Sequence, residues 1–502
     1  MNGAVSIRAG RALTGAPVVA LAFVATLALA AIAVRYGLVT DDTLRLWAGA
    51  SSAADGQVPI GRIVAGYPTL PFLATTLLAF ITPAGTPAPA LIAAGIYSII
   101  VAFCFLSFCR VGFHYLAAGV ATLLIAFHPA LLRGAIGGPS DMFLAVFLLM
   151  LCLALFDLRA RSGTSEVMTV GLALMGLAFA HPVGAAIAFG VVPFLTFAVR
   201  PSLAARSAPN VIIALLFPTL FMVSAFAYVS WVFPGDGWTF FASPAESLSL
   251  WRAALARDFG NGLFGVPAID ATVATIIAIA IGAPVAVAML FRVRRRRRLV
   301  MPAAVFLGGV IAATAICVAS GFFGDPSAMV VAAPVLAACI LIRVPEASQR
   351  VIVVIAWLAL GWLGGFVGLS LFDPIALSQL HIAFTQGASE RLDAIAVGGA
   401  AAASEGVLAD IDNAPAFVLG HGGAHGLLGP ESEPFVLAML FARVDSPFVA
   451  VPDPRSATGA QDRLNRAFPS LFRDGLTGYR IIYQNNTWRL FAKANKNSIS
   501  RK

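Results

Sequence analysis

Long apolar runs alternate with short, arginine-bearing polar loops along most of the chain. The runs fall at about residues 16–38, 88–109, 113–131, 140–158, 167–181, 183–200, 210–232, 268–291, 299–319, 326–343 and 350–371. Most approach the roughly 20 residues that a helix needs to cross a hydrocarbon core of roughly 30 Å. Backbone in hydrocarbon must satisfy its own hydrogen bonds, so helices are expected rather than open strands. The pattern predicts an all-α polytopic membrane bundle of about eleven transmembrane helices. The first run follows Arg8 and Arg11, exceeds the usual 7–15-residue core of a signal peptide, and precedes many other spans. It therefore reads as a retained anchor.

Loop charge sets the expected orientation. With the N-terminus in the cytoplasm, the inside loops hold Arg110, then Arg159 and Arg161, then Arg200 and Arg206, then the run at 292–298, then Arg343 and Arg350. The outside loops hold fewer: Arg35, Arg45 and Arg62, then Arg133, then Arg252 and Arg257. This is the positive-inside distribution. The apolar stretch 69–83 (TLPFLATTLLAFITP) is short and bounded by prolines. As a full span it would put the basic loops on the wrong side, so it reads as an interfacial or re-entrant helix.

Three outside regions are substantial: residues 39–87, residues 233–267 with Asp236, Trp238, Glu246 and Trp251, and the tail from 373 to 502. The expected organisation is thus a transmembrane domain over 1–372 and a small C-terminal α/β extracytoplasmic domain over 373–502. Within the tail, PAFVLGH (415–421) and FVAVPD (448–453) read as strands, and SEPFVLAMLFARV and QDRLNRAFPSLF as helices. GYRIIYQNNTWRLFAK reads as a hairpin turning at Asn485 and Asn486, since Asn tolerates positive φ.

Composition supports the same class. Of 502 residues, 59% are hydrophobic and 11% charged, against roughly 25% charged in a soluble domain; the mean hydropathy is +0.89. The net charge of +9 excludes a nucleic-acid-binding surface on distribution, because the basic residues sit in short loops between spans and not on one polar domain. Lys occurs only at 493, 496 and 502, and the Arg- and Ala-rich usage suggests a bacterial source; the expected location is the bacterial inner membrane. Cys104, Cys109, Cys152, Cys317 and Cys339 all fall in apolar segments without disulfide or metal spacing, which reads as small buried hydrophobes.

Candidate chemistry begins where the first span ends, in VTDDTLRLWAGASSAADGQVPIGR. Asp41 and Asp42 stand within a few residues of the membrane exit, and Arg45 lies one helical turn beyond Asp41. An outward-facing carboxylate beside lipid can be a general base for a hydroxyl or a ligand for a divalent cation. A structural reading also holds: Thr40 can cap a helix whose first positions, Asp41 and Asp42, complement its dipole.

An acid just after the first span, an amphipathic loop, and Tyr67-Pro68 leading into an apolar helix resemble the C-type glycosyltransferase superfamily (GT-C). HPALLRGAIGGPSDMF, between the third and fourth spans, is similar too, placing Asp141 in the second outside loop where that superfamily commonly has another acid. The resemblance implies a membrane transferase that moves a sugar from a polyprenyl-phosphate-linked donor to a hydroxyl of an envelope lipid, glycan or protein. It implies Asp41 or Asp42 as catalytic base, with Asp141 assisting or binding a divalent cation. The chain departs from better-marked members in its shorter first loop and in having no second acid beside Asp141.

Such a transfer also needs positive charge near the departing phosphate, which Arg supplies in bidentate form. Arg45, Arg62 and Arg133 are the outside candidates, each equally able to anchor ordinary lipid headgroups. His181, in FAHPVG at an expected outside turn, can hold a phosphate, tune a base, or simply border the turn. His421 and His425 have metal-like i,i+4 spacing, but the glycines of GHGGAHG point to a loop. Trp238 and Trp251 suit sugar stacking or an interfacial aromatic belt.

Two rival functions are a transporter or flippase and a non-catalytic scaffold whose tail binds a partner. Coupled transporters carry ionisable groups deep in their spans, whereas here Asp, Glu, Lys and Arg are absent from the middles of the expected spans. A lipid-linked sugar transferase is the expected function, with Asp41 or Asp42, Asp141 and one or more of the cationic candidates converging on one outward cavity.

Overall fold

The computed structural model describes residues 2–35, 38–56, 66–83, 86–233, 266–293, 297–321, 323, 326–372, 390–430 and 432–494. Arg62, Trp238, Trp251, Asp236 and Glu246 lie outside the described residues. Two compact units emerge. The first comprises Met1–Leu29, Tyr67–Leu70 and Ile92–Ser378; the second comprises Ala30–Gly66, Pro71–Leu91 and Gln379–Lys502.

All eleven expected spans fall on helix, but not all as single straight crossings. Among the described residues, seven helices are long and apolar enough to cross a membrane, or up to nine if two bent pairs each count as one. The bent pairs are Tyr115–Ala126 with Pro129–Gly137, at 60°, and Pro267–Gly282 with Pro284–Arg292, at 83°. A proline stands at the first helical position after each break, where its missing N–H costs nothing and the preceding residue is pushed out of the helix. Thr164–Ala180 is only 17 residues long, about 25 Å at 1.5 Å per residue. It is followed directly by Pro182–Val191. The apolar stretch expected at 69–83 forms the 13-residue helix Thr69–Ile81.

A break in a lipid-immersed helix frees backbone groups that must find partners within the protein. In the first unit the Tyr97 hydroxyl donates to Ala126 O at 2.8 Å and Trp362 Nε1 to Phe127 O at 2.7 Å. His128 joins the two breaks. Its Nδ1 accepts the Ala130 N–H at 3.3 Å and its Nε2 lies 3.1 Å from Gly282 O, so the bonding pattern assigns the neutral Nε2–H tautomer. The helix Val351–Phe372 lies against this joint because it carries glycine where others carry side chains. A Cβ on Gly364 would stand 2.1 Å from Ile281 O, one on Gly361 2.7 Å from Gly282 O, and one on Gly365 2.7 Å from His128 Cε1.

Elsewhere in this unit, the bundle end that carries the arginines of the expected inside loops is laced by polar contacts. Arg343 pairs with Asp157 at 2.5 Å, and Arg159 donates to Phe197 O and Val199 O. All five cysteines are free, and Cys104, Cys152, Cys317 and Cys339 are buried in the apolar core.

The second unit holds a five-stranded sheet of order β2-β1-β3-β5-β4. Here β1 is Val407–Leu408, β2 Leu427–Leu428, β3 Phe448–Pro452, β4 Tyr479–Gln484 and β5 Trp488–Lys493. β1 is parallel to β2 and β3, whereas β5 is antiparallel to both β3 and β4. Leu408, Phe435, Val449, Val451, Leu464 and Phe491 form its core.

Three expectations for this region are corrected. PAFVLGH is not a strand but the helix Pro415–His421, started by Pro at its first position and ended by Gly422 in the left-handed region at φ 83°. QDRLNRAFPSLF is not one helix; Ala457–Gln461, Arg463–Ala467 and Leu471–Asp474 are separate turns, broken where Asp462 caps through Asn465 N and where Pro469 intervenes. The β4–β5 hairpin turns where expected, but neither Asn has positive φ. Instead the Asn485 side chain accepts from Thr487 N and Trp488 N at 3.2 and 2.8 Å, an Asx turn.

Two outcomes follow. Gly364→Ala forces the two packed helices apart and lowers stability by about 1–3 kcal/mol, whereas Gly95→Ala, with open space at its Cβ, does not. Thermal unfolding of both variants in detergent checks this, and equal melting temperatures would refute the close-approach argument. The second concerns Asp462, buried at 1% exposure and pushed up to about 7, first by burial, with the neighbouring Asp410 charge adding to it. Below its unfolded value of 3.8 both states hold the proton and the full contribution is present. Between about 4 and 7 only the folded state keeps it, so stability falls as pH rises, by at most about 4 kcal/mol. Protection factors at residues 457–467 should drop between pH 5 and pH 8 in the natural protein and hold level in Asp462→Asn.

Candidate active site

In the first unit, HPALLRGAIGGPSDMF folds as the short helix Pro129–Gly137, a turn at Gly138, and the start of the long helix Pro139–Ala160. Gly138 has φ 138°, a conformation costly for any residue with a Cβ. The turn returns Asp141 onto the preceding helix. Arg133 Nη1 lies 2.6 Å from Asp141 Oδ2. Glycine makes this approach possible: a Cβ on Gly137 would stand 2.6 Å from Asp141 Oδ2, and one on Gly134 3.3 Å from Asp141 Cβ.

His181 completes the cluster. It caps the helix Pro182–Val191 by accepting Val183 N–H on Nδ1 at 3.1 Å. The neutral ring then carries its proton on Nε2, which lies 3.4 Å from Asp141 Oδ1. Both oxygens of Asp141 are thus engaged, one by a guanidinium and one by an imidazole, with the carboxylate side chain only 9% exposed. Such a carboxylate is suited to orienting its two partners. Three of the sequence candidates, Arg133, Asp141 and His181, are brought together.

In the second unit, Asp41 and Asp42 open the helix Asp41–Ala54, which buries Leu44, Trp47, Ala48 and Ala50. Thr40 is its N-cap residue by position, but its hydroxyl bonds Thr43 Oγ1 at 3.0 Å rather than the backbone. Asp41 pairs with Arg391, whose guanidinium also donates to Val39 O. Arg45 turns to Asp42 at 3.3 Å and not to Asp41, and its Nε donates to Asp412 O at 3.0 Å. At the far end of the helix, Asp55 accepts from His425 at 3.1 Å.

The two histidines of GHGGAHG do not form a metal pair. His421 stacks on Phe417, and its Nδ1 lies 3.1 Å from Gly423 O, with burial holding it below the usual imidazole range. Burial holds Asp412 above the usual carboxylate range, with the Arg463 charge opposing. Among the described residues no group of three or more His, Cys, Asp and Glu could hold a metal ion.

Sequence reasoning missed Arg391, 350 positions from its partner, and the contacts of Asp412 and His425 with the first loop. No local pattern marks them; an arginine in the first turn of a polar helix past the last span is the weak signal available.

With this geometry in place, the fold as a whole can be compared. It is similar to the crystal structure of ArnT from Cupriavidus metallidurans bound to undecaprenyl phosphate, with TM-score 0.54 and 12% identity, over 94% of this chain and 98% of that chain. No protein-family model and no curated protein matches the chain. The chain therefore shares the polytopic membrane fold of that protein, the architecture that the first-loop and second-loop resemblance implied.

If Arg133 and Asp141 act as one unit, the double variant Arg133→Gln/Asp141→Asn should be less destabilised than the two single variants added together, with a coupling of about 1–3 kcal/mol. Each single change leaves a partly buried charge without its partner. Strict additivity in thermal unfolding would mean that the pair carries no coupling.

Proposed function

We propose that the protein is an integral-membrane glycosyltransferase that moves a sugar from a polyprenyl-phosphate-linked donor to a hydroxyl of a lipid, glycan or protein at the periplasmic face of a bacterial inner membrane. The observation that carries the reading is a half-exposed carboxylate, Asp41, held at the start of the helix that follows the first span, in a chain whose fold is similar to a protein solved with undecaprenyl phosphate.

In the proposed reaction the acceptor oxygen attacks the anomeric carbon while Asp41 takes the hydroxyl proton. The bond between that carbon and the phosphate oxygen breaks, and the polyprenyl phosphate leaves with the electron pair. A single displacement inverts the anomeric centre. General-base help of this kind contributes about 10²–10⁴-fold. Arg45, Arg62 and Arg133, the last held by Asp141, are the candidate donors for a phosphate oxygen. No step is routed through a metal ion. In this reading the N-terminus is cytoplasmic, and the C-terminal domain and the first loop are periplasmic.

The test supplies labelled polyprenyl-phosphate sugars to purified protein, with a bacterial envelope extract as the source of acceptor hydroxyls, and follows loss of the lipid-linked donor. The natural protein should consume it, and the double variant Asp41→Asn/Asp42→Asn, at normal protein level and melting temperature, should fall by about 10²-fold or more. Full activity in that variant would remove the catalytic assignment. Movement of an intact donor across the bilayer without its consumption would favour a flippase.

A further inference from the structure

We infer that the C-terminal domain is the positioning element for the transferase base, and that Arg391 sets Asp41, rather than Asp42, as that base; this rests on the function proposed above. The helix Asp41–Ala54 is held by residues of the tail at three points along its length. Arg391 takes its first residue, the Asp412 carbonyl takes Arg45 one turn on, and His425 takes Asp55 just past its end. Apolar packing alone would leave a short helix free to turn or slide by fractions of an ångström. Three polar contacts spaced over about four turns fix both its rotation and its axial position.

The Arg391 contact differs in kind from the other two. One planar guanidinium donates both to the Asp41 carboxylate and to Val39 O, the backbone carbonyl just before the helix. Chain direction and carboxylate orientation are thereby fixed by one rigid group, a use for which lysine has no equivalent. The Arg391 side chain is 15% exposed, whereas Asp42 is 77% exposed and pairs with the partly exposed Arg45 on its own helix.

Arg391 is itself held on a rigid support. Its helix, Glu390–Ala401, is tied to the sheet domain at both faces of its first turn. Glu390 accepts from Ala457 N, Thr458 N and the Thr458 hydroxyl at 3.2–3.4 Å. Asp393 accepts from the Thr487 hydroxyl at 2.9 Å, and its carbonyl accepts from Asn485 Nδ2 at 2.8 Å. Further along, Gly398 and Gly420 let this helix and Pro415–His421 meet backbone to backbone: a Cβ on Gly420 would stand 1.9 Å from Ile395 O. The Asn485 turn, the Thr458 helix start and Arg391 thus form one chain of support ending on Asp41.

An exposed ion pair adds little to stability, whereas misplacing a reacting group by about an ångström costs about 100-fold in rate. The contact is therefore expected to show in turnover. In the donor-consumption assay with full-length protein, Arg391→Ala should lower kcat about 100-fold with KM for the lipid-linked donor within about twofold. Arg391→Lys, which keeps the charge but lacks the rigid planar fork, should recover about tenfold of that loss. Added guanidinium ion should raise the activity of Arg391→Ala and leave Asp41→Asn inactive. Asp42→Asn should lose less than Asp41→Asn.

If Arg391→Ala keeps the natural kcat while Asp41→Asn is inactive, the positioning role is refuted and the proposed function stands. If Asp41→Asn keeps its activity, Asp41 is not the base and the inference fails; if the natural protein consumes no donor, the proposed function itself fails. Loss in Arg391→Ala accompanied by a large rise in KM and no response to guanidinium would overturn the inference in favour of a general folding role. Should Arg391→Ala not reach the membrane, the kcat-against-KM split in Arg391→Lys decides the matter.

Discussion

Hydrocarbon offers no hydrogen bonds, and this constraint organises the first unit. Every backbone group freed at a helix break must be met from inside the chain, so the two bent spans exist only because other side chains reach them. Tyr97 and Trp362 meet two carbonyls at the first break, and His128 meets both breaks with its two ring nitrogens. The glycines of Val351–Phe372 serve the same end, since a side chain at Gly364 or Gly365 would occupy the space in which these partners meet. Apolar burial decides that the helices pack; polar satisfaction decides where they are allowed to bend.

The same constraint explains why the charged residues of the first unit come in sets. Asp141 is held by Arg133 and His181, and Asp157 by Arg343. A lone carboxylate at either position would meet a desolvation cost of several kcal/mol. The arrangement around Asp141 depends on a local sequence rule, Gly-Gly-Pro ahead of the acid, which folds the chain back so that residues eight positions apart meet. In such a cluster the carboxylate holds its two neighbours in direction, with one contact on each oxygen.

Much of this was legible from the order of residues. Apolar length and loop arginines gave the spans, because both reflect transfer between water and hydrocarbon and depend on nothing distant. The hairpin around Asn485 was legible because a turn is local, although its chemistry is a side-chain cap and not positive φ. The breaks at Pro129 and Pro284 show as prolines inside apolar runs, but a proline alone does not say whether a span bends by 60° or merely ends. PAFVLGH reads equally as strand or helix, since a run of seven residues lacks a resolvable period; the capping pattern of Pro415 and Gly422 was the better guide. Asp41, Asp42 and Asp141 were visible as single acids beside a span. Their partners were not, because Arg391 and Asp41 are 350 positions apart and a single sequence carries no trace of such a pairing.

Burial separates the roles of the acids more sharply than position along the chain does. A general base must meet a hydroxyl from outside the protein and release a proton afterwards, which requires a carboxylate open to substrate and water. Asp141, at 9% exposure with both oxygens engaged, is poorly placed for that and well placed to hold Arg133 and His181 in fixed directions. Asp41, at 47% exposure with Arg391 as its partner, is open to a substrate yet held in direction, and Asp42 is open without comparable restraint. A base gains from both properties at once, since accessibility without orientation forfeits the advantage of a reacting group already in place. The proposal of Asp41 as the proton acceptor rests on this combination, which the guanidinium of Arg391 provides.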